Sequence, residues 1–166
     1  MTNVKFLNPF VDAANEVLLA EAEVSAKRGA LTLHKSAFTS ADITVLLSLV
    51  GSVQGVVLYG MSIPTGLVLV SRIMGQEFTE FDNLAQSGIA ELGNVITGRA
   101  TIKLSQAGCS ANISPPTLIQ GAGVQISTLD FSRIVVPLVS DIGEITIHLA
   151  LRESAVGKDD ANFLDI

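Results

Sequence analysis

Residues 43 to 61, Ile43-Thr44-Val45-Leu46-Leu47-Ser48-Leu49-Val50-Gly51-Ser52-Val53-Gln54-Gly55-Val56-Val57-Leu58-Tyr59-Gly60-Met61, are apolar enough to suggest a membrane span. The centre of the stretch argues otherwise. Gly51-Ser52 is a turn pair, and before it Ile43, Val45, Leu47 and Leu49 alternate with Thr44, Leu46 and Ser48. A period of two with many β-branched residues is the pattern of a strand. The stretch is therefore expected to be an antiparallel hairpin, with arms Asp42 to Val50 and Val53 to Ser62 around Gly51-Ser52.

Working outward, Pro9 to about Lys27 is rich in Ala, Leu and Glu and reads as a helix capped by Asn8, with Pro9 at its first position. Ala30 to His34 reads as a strand, and Pro64 to Met74 as a short helix stopped by Gly75. Glu77, Glu80 and Asp82 lead into a second long helix, Asn83 to Ser105, which ends before Gly108. Extended segments follow at Ser110 to Ser114 and Gly123 to Ser127, separated by the Pro115-Pro116 break. A last hairpin, Phe131 to Ser140 and Glu144 to Arg152, turns at Asp141-Ile142-Gly143. Helix, strand and hairpin thus occur twice. The expected fold is α/β of the α+β kind: duplicated helix-strand-hairpin halves forming one mainly antiparallel sheet covered by long helices. One domain is expected over residues 1–153. Residues 154–166 form a polar tail containing Gly157-Lys158-Asp159-Asp160; its Phe163 and Leu164 could dock on a neighbour, and it is assigned no function.

The 166 residues are 48% hydrophobic, enough for a full core. The formal charge is -6, with no basic cluster to meet a phosphate backbone or an anionic membrane, so nucleic acid and membrane insertion are not expected. Cys109 is the single cysteine, and His34 and His148 stand far apart without matching ligands, so neither a disulfide nor a metal centre is indicated. Lys5 is followed by Asn8, Asp12, Asn15 and Glu16 rather than by an apolar run of signal-peptide type, and the expected location is cytoplasmic. Cys109 follows a helix C-terminus, where a thiolate is disfavoured. Ser52, Ser62 and Ser132 lack a nucleophile-elbow context, and Gly121-Ala122-Gly123 lacks the setting of a phosphate cradle.

The second long helix carries the candidate site. At 100° per residue, Ala85, Ile89, Leu92, Ile96 and Ala100 share one side, and Ser87, Glu91, Asn94 and Gly98 fall on a narrow strip opposite. One carboxylate and one carboxamide project between two positions with almost no side chain, so another protein's surface can come close to them. Polar residues three apart also occur on any wet helical face, and spacing alone does not separate the two readings.

The run Glu91-Leu92-Gly93-Asn94-Val95-Ile96-Thr97-Gly98-Arg99-Ala100 resembles the E-x-x-N helix of the CheC/CheX/FliY chemotaxis phosphatases and its following I-x-G-x-A, with Ser87 at the family's Asp-or-Ser position. Upstream, Gly60 to Gly75 with Gln76-Glu77-Phe78 is similar to the family's short helix and acidic approach, and Asn8-Pro9-Phe10-Val11 looks CheX-like. The proline that follows the active helix in the family comes slightly early here, at Pro115-Pro116. In the first helix Asp12 and Glu16 keep the family spacing, but Leu19 stands at the Asn position, so a single active helix is expected, as in CheX.

The resemblance implies a phosphatase that dephosphorylates a CheY-like response-regulator receiver in chemotaxis signalling. Asn94 would orient the attacking water and Glu91 would engage the receiver's lysine, with Ser87 and Gly98 contacting the substrate. The receiver would bring the acyl phosphate and Mg2+; no cofactor is expected on this chain. The resemblance also implies a homodimer. The competing expectation is a non-catalytic module of the same fold that docks on a receiver or serves a flagellar switch. A small-molecule site has no convergent polar cluster to support it.

Overall fold

The computed structural model describes residues 4–35, 37–126 and 132–154. A 3-10 turn, Val4–Phe6, runs directly into helix α1, Leu7–Ala22. Phe6 occupies the cap position and is itself buried, so the helix begins ahead of the expected Asn8 cap. It also ends five residues short of Lys27. Glu23 turns left-handed (φ 53°), and the amides of Glu23 and Val24 close back onto Leu19 and Leu18. Released from the helix, Lys27–Arg28 forms strand β1, and Thr32–His34 forms β2.

The decisive hairpin is present as read. Strands β4 (Ile43–Gly51) and β5 (Val53–Met61) pair from Ile43↔Met61 to Leu49↔Gly55, after a short β3 at Phe38–Thr39. Helix α2 spans Ile63–Met74. Its cap is Ser62, whose Oγ accepts from the Thr65 amide, and Gly75 ends it in the left-handed conformation. Helix α3, Asn83–Gln106, is capped by Asp82, whose Oδ1 accepts from the Ala85 amide at 2.9 Å.

After α3 come β6 (Ala111–Ile113), β7 (Thr117–Gln120), β8 (Gln125–Ile126), β9 (Arg133–Ser140) and β10 (Gly143–Glu153). Strand β7 is absent from the sequence expectation, which ended pairing at the prolines. Pro115 and Pro116 do interrupt the ladder, since neither has an N–H to donate. The gap is bridged by Ser114, whose N–H donates to the Ser48 carbonyl and whose Oγ accepts from the Ser48 amide, both at 2.9 Å. Pairing on β4 then resumes at Leu46↔Thr117. The expected ends of two elements, Ser127 and Phe131, lie outside the described residues, as does the expected tail after Ser154. Ser154 itself is buried, its amide donating to Ser52.

The main sheet runs β1-β9-β10-β5-β4-β6, with β2 also on β9 and β7 also on β4, all pairs antiparallel. The two hairpins meet at β5 and β10. Each half's short strands add to the outer arm of the other half's hairpin, which interlocks the halves. One face of the sheet, including Val45, Leu47, Val57, Tyr59, Val136, Ile147 and Leu149, packs with Phe10, Val17, Leu18, Leu69, Ile89 and Ile96 of the helices into one core. On the other face the small β3–β8 sheet sits over β10, and Phe38 meets the His148 ring edge-on at 4.5 Å.

Candidate functional site

Helix α3 presents the two faces its periodicity calls for. Ala85, Ile89, Leu92, Ile96 and Ala100 are buried, the most exposed of them only 6%. Ser87 and Glu91 are exposed, and Asn94 and Gly98 are half-buried. Among the described residues, no hydrogen bond or ion pair engages the Glu91 or Asn94 side chain.

Two glycines let α3 sit deep. A Cβ at Gly93 would lie 2.8 Å from Val45 Cγ1, and one at Gly88 would lie 2.8 Å from Cγ2 of the buried Val70, so both positions disfavour larger residues by packing. Gly98 is different: among the described residues nothing packs within 4 Å of where its Cβ would be. Behind the strip, Tyr59 reaches up from the sheet and its hydroxyl lies 2.7 Å from Thr97 Oγ1. Thr97 Oγ1 in turn donates to the Gly93 carbonyl at 2.7 Å, so the tyrosine is the donor to Thr97. Burial pushes the Tyr59 phenol well above its ordinary value despite the Thr97 hydrogen bond, which leaves it a fixed donor rather than a working acid. The chain Tyr59, Thr97, Gly93 anchors the turn of helix from which Asn94 projects. Spacing alone does not reveal this chain, whose signal in the sequence is the lone tyrosine and a threonine four residues after a helical glycine.

On the flank of α3, Glu16 of α1 takes both Lys103, at 2.7 Å, and Arg99, at 3.5 Å. The Lys103 hydrogen bond is the largest of several effects that hold the Glu16 carboxyl below its ordinary value. Glu16, which keeps family spacing in the first helix, is thus committed to binding α1 against α3. Leu19, at the position where that helix lacks an Asn, is 57% exposed.

Where α1, α2 and α3 diverge, they leave an apolar groove of about 280 Å³ whose lining includes Glu21, Ser87 and Glu91. A more polar cleft of about 390 Å³ lies beside His148 on the other sheet face. Three of its hydroxyls are engaged internally: Ser62 caps α2, Thr65 donates to the Ile142 carbonyl and Ser40 to the Gly121 carbonyl. His148 is pushed down to about 4, chiefly by burial and then by Arg133 and His34 nearby. Cys109 is a partly buried free thiol at the end of α3. Among the described residues no group of three or more His, Cys, Asp or Glu could hold a metal ion, and no helix is long and apolar enough to cross a membrane.

The family model for chemotaxis phosphatase CheX matches residues 43–139, which include both arms of the decisive hairpin and all of α3. The CheY-P phosphatase CheX of Thermotoga maritima is 24% identical over 151 residues, covering 90% of this chain and 97% of that protein. A chain of the crystal structure of the CheX–CheY–BeF3–Mg+2 complex from Borrelia burgdorferi is 28% identical, with a TM-score of 0.75 over 91% of this chain and 100% of that one. A chemotaxis protein CheX from Desulfovibrio desulfuricans shares the fold, with a TM-score of 0.81 at 22% identity over 91% of this chain and 100% of that one. With its mainly antiparallel sheet, its α3 strip and a family match over more than half its length, the chain belongs to the chemotaxis phosphatase CheX family.

Proposed function

We propose that this chain hydrolyses the aspartyl phosphate of a CheY-type receiver domain, with α3 docking beside the phosphorylated carboxylate. The observation that carries the reading is the pair Glu91 and Asn94, set between Ser87 and Gly98: among the described residues neither side chain has a partner and no packing contact requires a glycine at 98. The Thermotoga relative's name, CheY-P phosphatase, and the Borrelia complex of CheX with CheY, BeF3 and Mg+2 support the same partner.

In this mechanism Asn94 holds a water in line with the phosphorus through its carboxamide, which both donates and accepts hydrogen bonds. The water oxygen forms a bond to phosphorus as the acyl oxygen–phosphorus bond breaks. Inorganic phosphate leaves with the water's protons, and the receiver keeps a free aspartate. Glu91 pairs with a receiver cation and fixes the approach; the receiver supplies Mg2+ and the phosphoryl group. Acyl phosphates already hydrolyse readily, so an acceleration of about a hundredfold needs only about 2.7 kcal/mol, within reach of one positioned water and one ion pair. The homodimer implied by the family resemblance and the cytoplasmic location expected from the sequence belong to the same proposal; sedimentation of the purified chain tests the first.

The test follows decay of a phosphorylated CheY-type receiver with wild type, Glu91→Ala and Asn94→Ala at equal concentration. Wild type is expected to accelerate decay, and each variant to lose most of that acceleration, on the order of tenfold or more. Full activity in both variants would remove the site assignment. No acceleration over several candidate receivers would leave a binding module instead.

A further inference from the structure

We propose that the groove between the three helices seats an aliphatic side chain of the same receiver domain, flanked on the receiver by a cationic side chain. The inference rests on the proposed function and adds to it the contact that selects the partner.

Three features of the groove argue for this occupant. Its floor is apolar: Val17 of α1 and Leu92 of α3 are 1% and 6% exposed, and Ile73 and Met74 of α2 stand beside them. Val95 also lines it yet stays 37% exposed, so the groove leaves unpartnered apolar surface on the helix that carries the site. At about 280 Å³ it lies just below the size at which small-molecule sites begin, roughly 300 Å³, which suits an inserted side chain.

Second, the groove is continuous with the strip. Ser87 and Glu91 belong to both, and Val95 follows Asn94, so a surface laid across Glu91 and Asn94 also covers the groove. Third, the charge is one-sided. Glu21 and Glu91 are both exposed carboxylates lining it, while Arg99 and Lys103 are turned to Glu16. An apolar anchor beside a cation complements that arrangement. A hydrophobic anchor next to a polar reacting pair also divides the labour: the groove supplies affinity, and Glu91 with Asn94 supply rate.

The experiment uses Val95→Gln and Ile73→Gln, which lie on different helices at partly exposed positions, with Val50→Ser, on the sheet face away from the helices, as control. Calorimetry measures binding to a CheY-type receiver held in its BeF3- and Mg2+-bound form, and steady-state decay of the phosphorylated receiver gives kcat and KM. Thermal melts report folding. Each groove variant is expected to weaken binding and raise KM roughly tenfold, the effect of losing about two buried methylenes, with kcat at saturating receiver retained. The control is expected to match wild type. Glu21→Gln is expected to flatten the salt dependence of binding. Unchanged binding in both groove variants, with wild type active, overturns the groove and leaves the proposed function standing. A fall in kcat without a change in binding overturns it as well. Wild type that neither binds nor accelerates overturns both.

Discussion

The glycines of α3 do opposite things. Gly88 and Gly93 are excluded from growing by Met74, Val70 and Val45, whereas Gly98 faces open space. A glycine inside a helix costs roughly 0.8–1 kcal/mol relative to alanine, so Gly98 is a cost to the fold that no contact among the described residues repays. Gly98→Ala is therefore expected to raise stability by about 0.5–1 kcal/mol in chemical denaturation. It should also lower receiver dephosphorylation by roughly tenfold or more, since displacing a reacting group by about an ångström costs on the order of a hundredfold. Gly93→Ala should do the reverse to stability, losing about 1–3 kcal/mol as Val45 is forced aside. A Gly98→Ala protein that is both more stable and fully active would show that the small residue serves no approaching surface.

At the level of helices and strands, α1 stops where it does because Glu23 adopts φ 53° and closes the last turn onto Leu19 and Leu18. An L-residue pays roughly 1–2 kcal/mol for that conformation and glycine does not. Glu23→Gly is expected to stabilise the fold by about 0.5–1 kcal/mol after its greater unfolded-state freedom is counted. A melting temperature that falls instead would mean that the Glu23 side chain contributes more than its backbone strain costs. The same stop explains why a helix expected to reach Lys27 yields a strand there: once the chain reverses, Lys27 and Arg28 pair with Val139 and Leu138.

Across the whole molecule, the two sheet faces differ in what they hold. His148 lies on the face away from the helices, against Phe38, with Nδ1 buried and unpartnered among the described residues. Burial, then Arg133 and His34, lower its proton affinity from the ordinary 6.5 to about 4. The unfolded chain therefore takes up a proton near pH 6.5, while the folded chain resists until about pH 4. Stability from this group is complete above pH 6.5 and declines as pH falls toward 4, at up to about 1.4 kcal/mol per pH unit. Glu16, with its lowered value, adds acid sensitivity of the same sign nearer its ordinary 4.5. The expected result is a melting temperature that drops between pH 6.5 and 5 in wild type and is flatter in His148→Gln; identical profiles would remove the histidine from the account.

Local chemistry was enough to specify the hairpin at Gly51-Ser52, the stop of α2 at Gly75, the start of α3 after Asp82 and the two faces of α3, because turn residues, helix stops and periodicity act over a few neighbours. The Glu91–Asn94 strip was legible for the same reason, with its motif. Other features needed the chain to fold back on itself. Strand β7 forms because Ser114 carries the β4 ladder past two prolines. Tyr59 meets Thr97 across 38 residues, and Glu16 meets Lys103 across 87. The groove beside Glu91 exists only because three separate helices diverge above one sheet. None of these contacts is encoded by spacing, since each is set by where distant segments pack.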